Sequence, residues 1–130
     1  MTAKEHWKPE PDGHDYPAAA SYLSLVLPQD AVDRVVEELR SAELGHWKAK
    51  DLLRASRLPQ LPKENPHVAN DLGKISRDEK LSPVLLVQGD LSRQAPLEIA
   101  DGYHRICASY YIDEDADIPC RMATRPASKL

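Results

Sequence analysis

Asp101-Gly102-Tyr103-His104-Arg105 puts a carboxylate, a glycine, an imidazole and a guanidinium in one short run. Leu97-Glu98-Ile99-Ala100 precedes it with the alternation of a strand. Ile106, Cys107, Tyr110 and Tyr111 follow it on one side of a helix. A strand that turns into a helix here leaves first-turn N–H groups unpaired at the positive end of the helix dipole. That arrangement seats anions. Gly102 would allow the tight turn and the close approach of a phosphate to the backbone. With it, the first-turn residues Tyr103, His104 and Arg105 are candidate phosphate-binding residues, Arg105 through a two-donor clamp. Asp101 and His104 are the candidate catalytic residues, as base and as a proton carrier near neutral pH. Simpler roles stand beside these. Asp101 could cap the helix, Gly102 could serve the turn alone, His104 could be a surface residue, and Arg105 could pair with Asp113 or Glu98.

The elements that position this turn can be read outward from it. Pro83 to Gln88 contains Val84-Leu85-Leu86-Val87, apolar on both faces, which predicts a central strand over 84–88 covered on both sides. Residues 97–100 form its partner, and a helix spans 103–112. Ile118 to Ala123 predicts a last strand, with Pro119 assigning it to an edge. Asn65-Pro66 is a helix start, because Asn caps free N–H groups and Pro has no donor to lose at the first position. The helix it opens spans 66–77, with Val68, Leu72 and Ile75 inward.

Upstream, Ser21 to Leu27 is β-favouring and predicts a strand ending at Pro28. Val32, Val35, Val36 and Leu39 form one stripe and predict a helix over 30–43, stopped by Gly45. A shorter helix is predicted over 47–56 with Trp47, Leu52 and Leu53 inward. Residues 58–62 must be extended, because a residue before proline is pushed out of the helical region. Residues 1–17 lack either period and read as a flexible N-terminal arm, leaving 18–130 as a single domain. The fold class is therefore α+β, a small mixed β-sheet with packed helices.

The stretch from Leu61 to Met122 resembles the core of the ParB/sulfiredoxin superfamily, about residues 61–123. The shared order is Asn-Pro before a helix, a Leu-Ser-Pro-Val-Leu-Leu-Val strand over 81–87, a strand into Asp-Gly-Tyr-His-Arg, a helix, and a closing Ile-Pro-Cys-Arg strand over 118–121. Sulfiredoxins carry a cysteine where Tyr103 stands, so the resemblance does not imply their chemistry. Partition-type members have a Gly-Glu-Arg-Arg turn, bind CTP and continue into a helix-turn-helix. No such DNA-binding segment is expected here before Leu130. The turn is similar to the Asp-Gly-His-His-Arg-like turn of the superfamily's free serine kinases. That likeness implies a role in phosphoryl transfer for Asp101 and His104, with Asp30 a loose candidate for a further acidic base. If the site takes a nucleotide, magnesium is expected as the charge partner of the triphosphate; the resemblance places the first helical pair outside the superfamily core.

Composition narrows the partners. The chain has 130 residues, one domain's worth, and a formal net charge of −4. An acidic balance counts against a grip on duplex nucleic acid, which needs a basic stripe. A small-molecule phosphate or nucleotide is the expected partner, and a homo-oligomer stays open. Lys48, Lys50, Arg54, Arg57 and Lys63, against Asp51, form a local basic stretch that is either a solvated helix face or a wall of the anion site. The longest apolar run, Ala18 to Leu27, is too short for a membrane span and follows no basic leader, so the chain reads as cytoplasmic. Cys107 and Cys120 read as buried, reduced thiols, and no ligand spacing assigns a metal. Asp113 to Asp117 resembles the opening of a calcium loop but has Ile118 at the sixth position and Thr124 at the twelfth. The function expected is phosphate or nucleotide binding, with phosphoryl transfer or hydrolysis. The alternative is a non-catalytic regulatory module that binds a ligand or a protein.

Overall fold

Val84, Leu85, Leu86 and Val87 are all at most 1% exposed, and their alternation splits the hydrophobic interior in two. The computed structural model describes residues 6–126. Its elements, in chain order, are α1 (Asp15–Leu23), α2 (Gln29–Ser41), β1 (Gly45–Lys48), α3 (Ala49–Ser56), α4 (Pro66–Ser76), β2 (Val84–Val87), a 3-10 turn (Leu91–Arg93), β3 (Glu98–Asp101), α5 (Tyr103–Ile112) and β4 (Asp117–Ala123). The four strands form one mixed sheet in the order β1-β4-β2-β3. β1 and β4 are antiparallel, β2 and β4 parallel, β2 and β3 antiparallel. The α+β class with a mixed sheet is thus as expected.

Val84 and Leu86 point to the face covered by Leu52, Val68, Ile75 and Ile106 of α3, α4 and α5. Leu85 and Val87 point to the opposite face, under Leu23 of α1 and Val32, Val35 and Leu39 of α2. Burying such a side chain contributes about 1.5–3 kcal/mol, so this run does much to hold the three layers together. Cys107 and Cys120 are free and buried. Among the described residues, no helix is long and apolar enough to cross a membrane.

Four expectations are corrected. Ser21 to Leu27 is not a strand: α1 runs through Leu23, because Tyr16, Ala19 and Leu23 bury one helical stripe and Ala18-Ala19-Ala20 favour helix. Residues 6–17 of the predicted arm lie along the domain. The Leu81 carbonyl accepts from the Lys8 N–H and the Leu81 N–H donates to the His6 carbonyl, both at 2.8 Å. Residues 1–5 of that arm fall outside the described residues. Gly45 to Lys48 form an edge strand rather than the start of the second helix, and Trp47 is 37% exposed. The cause lies in the acidic loop: the N–H groups of Ala49 and Lys50 donate to the carbonyls of Ala116 and Glu114, so α3 begins only there. β4 is an inner strand, not an edge. It tolerates Pro119 because its parallel pairing with β2 starts at Cys120, one residue past the proline.

Candidate functional site

β3 ends at Asp101, and Gly102 takes φ 112°, ψ 14° as the cap of α5. An added Cβ there would lie 2.7 Å from both Arg105 Nη2 and Val84 Cγ2, so the turn requires glycine on conformation and on space. Among the described residues, no side chain caps α5. Its first backbone bond runs from the Ile106 N–H to the Gly102 carbonyl. The α5 N-terminus opens into a cleft of about 240 Å³.

The two flanking elements enter the cleft for local reasons. Asn65 accepts hydrogen bonds from the N–H groups of His67 and Val68 and so fixes the start of α4. That helix buries Val68 and Ile75, which turns His67, Asn70, Asp71 and Lys74 toward the cleft at helical spacing. On the other side, the Asp12 N–H donates to Ser82 Oγ at 3.0 Å, and the Ser82 hydroxyl donates to the buried Asp15. This pins the N-terminal segment so that Lys8, Asp12 and His14 form the opposite wall. The walls carry the cations Lys8, Lys74, Lys80 and Arg105, the carboxylates Asp12, Asp71 and Asp101, and three imidazoles. Counting Asp15, which lies behind Arg105 and beside His14, four cations face four carboxylates here, in a chain of net charge −4.

Of the sequence-predicted residues, Asp101, Gly102, His104 and Arg105 line the cleft. The Tyr103 side chain is turned elsewhere, its hydroxyl donating to the Pro59 carbonyl, so only its backbone faces the turn. Arg105 is 15% exposed and already paired. Its Nη2 donates to Asp101 Oδ2 at 2.7 Å and its Nη1 lies 3.8 Å from Asp15 Oδ2. Its buried Nε has no hydrogen-bond partner among the described residues. The partners suggested by sequence, Asp113 and Glu98, are not the ones it takes, and Glu98 accepts from Tyr22. Burial raises the Asp101 pKa, against the pull of Arg105. Burial likewise raises that of Asp71, against Arg105 and Lys74. His104 lies with its ring centroid 4.7 Å from that of His67. Burial, and then the neighbouring His67, hold its pKa below the usual imidazole value.

None of the basic stretch 48–63 lines the cleft. Lys48 and Lys50 bind Asp115, Arg54 binds Asp51, and Lys63 lies over the Tyr111 ring. Asp30 is exposed in the first turn of α2, outside the cleft lining. The site residues that sequence reasoning missed are those from the N-terminal segment, from α4 and from the loop Lys80 to Ser82 that follows it. The polar stripe His67-Asn70-Asp71-Lys74 was visible as a pattern; the N-terminal contribution had no periodic signal.

Asp12, His14 and Asp15 each bring one donor atom within 4.8 Å of the others, close enough to be considered as a metal site. They do not fit the magnesium expected beside a nucleotide. Magnesium favours oxygen donors and retained waters. Here Lys8 already holds Asp12 with two hydrogen bonds, and Ser82 and Arg105 hold Asp15.

No family model, curated protein or solved structure matches the chain. The ParB/sulfiredoxin resemblance therefore stays a likeness of sequence motifs.

Proposed function

We propose that the cleft at the N-terminus of α5 binds a small phosphorylated molecule. One observation carries this reading: an uncapped helix N-terminus opens into a cleft whose walls hold Lys74, Lys80, His67 and His104. Backbone N–H groups, a helix dipole and mobile ammonium groups together favour phosphate oxygens. Arg105 supports the site differently from the clamp read in the sequence. Its pairing with Asp101 and Asp15 makes it a strut that shapes the turn and compensates the two carboxylates behind it.

Melting curves in phosphate, pyrophosphate, ATP and CTP test the reading. A ligand at a hundred times its Kd adds about 2.7 kcal/mol of stability. Lys74→Ala and Lys80→Ala, which disturb no ion pair described above, should weaken that gain. If none of the four anions raises the melting temperature beyond matched chloride, the reading fails.

A second reading, a non-catalytic binding module, is favoured by the Arg105–Asp101 pair. The guanidinium occupies Asp101 Oδ2 at 2.7 Å, so that oxygen is not free to take a proton from a ligand. His104 then remains as the group able to move a proton. Binding without turnover of ATP or CTP supports the module; turnover lost in His104→Gln supports transfer or hydrolysis.

A further inference from the structure

Two imidazoles face each other inside the cleft, one from α4 and one from α5, with ring centroids 4.7 Å apart and planes tilted by 40°. The surroundings mix both signs of charge. On α4, Asp71 stands one turn from His67 and Lys74 two turns away; Arg105 follows His104 on α5, and Lys80 comes from the loop after α4. From the N-terminal segment, Lys8 faces the cleft paired with Asp12, and His14 adds a third imidazole. Asp71, Asp101 and Asp15 are the opposing carboxylates; Arg105 engages Asp101 and Asp15, and His14 lies 3.4 Å from Asp15. A proton on one imidazole therefore opposes a proton on the other.

We propose that His67 and His104 form a paired-imidazole subsite that selects a doubly charged terminal phosphate and takes up protons as that phosphate binds. The inference rests on the cleft accepting phosphate at all, and adds the class of ligand: a phosphomonoester rather than a phosphodiester. A monoester is mostly dianionic at neutral pH, because its second proton leaves near pH 6. Its two charges can offset both imidazolium ions, and each protonated ring gains a second N–H donor. A diester carries one charge and offers half that compensation. The protons come from solvent to the ring nitrogens, with no bond made or broken in the ligand.

The five histidines supply the test and its controls. The ring protons of each are followed by NMR across pH in chloride, in sulfate and in dimethyl phosphate at equal ionic strength. Sulfate is a dianion with no proton of its own in this range, so every change belongs to the protein. The titration midpoints of His67 and His104 should rise by about one pH unit in sulfate and little in dimethyl phosphate. His6 and His46, which do not line the cleft, should not move. In His67→Gln, an exposed position on α4, sulfate affinity should fall about tenfold near pH 6.5 and change little near pH 8.5. Amide shifts at Gly102 to Arg105 with unmoved midpoints would overturn this inference and leave the anion site standing. No response from either imidazoles or amides would overturn both.

Discussion

Arg105 Nη2 lies 2.7 Å from Asp101 Oδ2, joining the last residue of β3 to the first turn of α5 across Gly102. Together with the more distant contact to Asp15, it ties the sheet, the fifth helix and the N-terminal segment to one guanidinium. A residue that sequence alone offers to a ligand is, in the fold, first a tie between elements.

Arg105→Ala should therefore act on stability before binding. Removing one partner of a largely buried pair leaves carboxylates without compensation and costs about 3 kcal/mol. Denaturant melts at neutral pH check this. Adding Asp101→Asn to the variant should recover part of the loss; a strictly additive double variant contradicts the coupling.

Gly102→Ala should destabilise by about 1–3 kcal/mol, because φ 112° is strained for any side chain. The new methyl would also press on Val84, which is fully buried and cannot yield. Urea unfolding measures the loss. A change within error would mean that the turn relaxes to a conformation other than the one described.

Asp71→Asn should raise the melting temperature at neutral pH by a few degrees. Burial opposes ionisation of this carboxyl and outweighs the nearby cations. The folded state thus binds its proton more tightly than the unfolded chain, and the carboxylate costs stability once the pH exceeds the unfolded value of 3.8. The gain from Asn should vanish in melts below that pH. A gain that stays constant with pH would place its cause outside ionisation.

His104 has the opposite linkage. Its folded pKa lies below the unfolded 6.5, so the neutral form is preferred in the fold. Stability is full above 6.5 and falls as the pH drops through that value, levelling off below the folded pKa. Between about pH 8 and pH 5.5 the native chain should lose more stability than His104→Gln, the difference lying in this one imidazole. Parallel pH curves for the two proteins would contradict it.

Much of the centre of the fold was legible in the sequence. Helix 103–112 and the Asn65 cap are as read, and Val84 to Val87 carried its double-sided burial in its composition. Two of the errors share a physical source. In Ser21 to Leu27 and Trp47-Lys48 packing overrides the local preference: Ser21 to Leu23 complete the helix that starts at Asp15, and Trp47-Lys48 are drawn into pairing with β4. Half of the site was equally legible, because the turn motif is local. The other wall was not. The N-terminal segment is held there by Leu81, bonded to His6 and Lys8, and by Ser82, bonded to Asp12 and Asp15 some 70 residues away in sequence (67 from Asp15), and no periodicity announces such bonds.

The central claim is that the cleft at the start of α5 takes phosphate oxygens. An amide NMR titration with pyrophosphate tests it most directly. The account predicts saturable shifts at Gly102, Tyr103 and His104, with affinity reduced about tenfold in Lys74→Ala. Shifts absent from these amides, or spread evenly over exposed lysines and unaffected by Lys74→Ala, would contradict it.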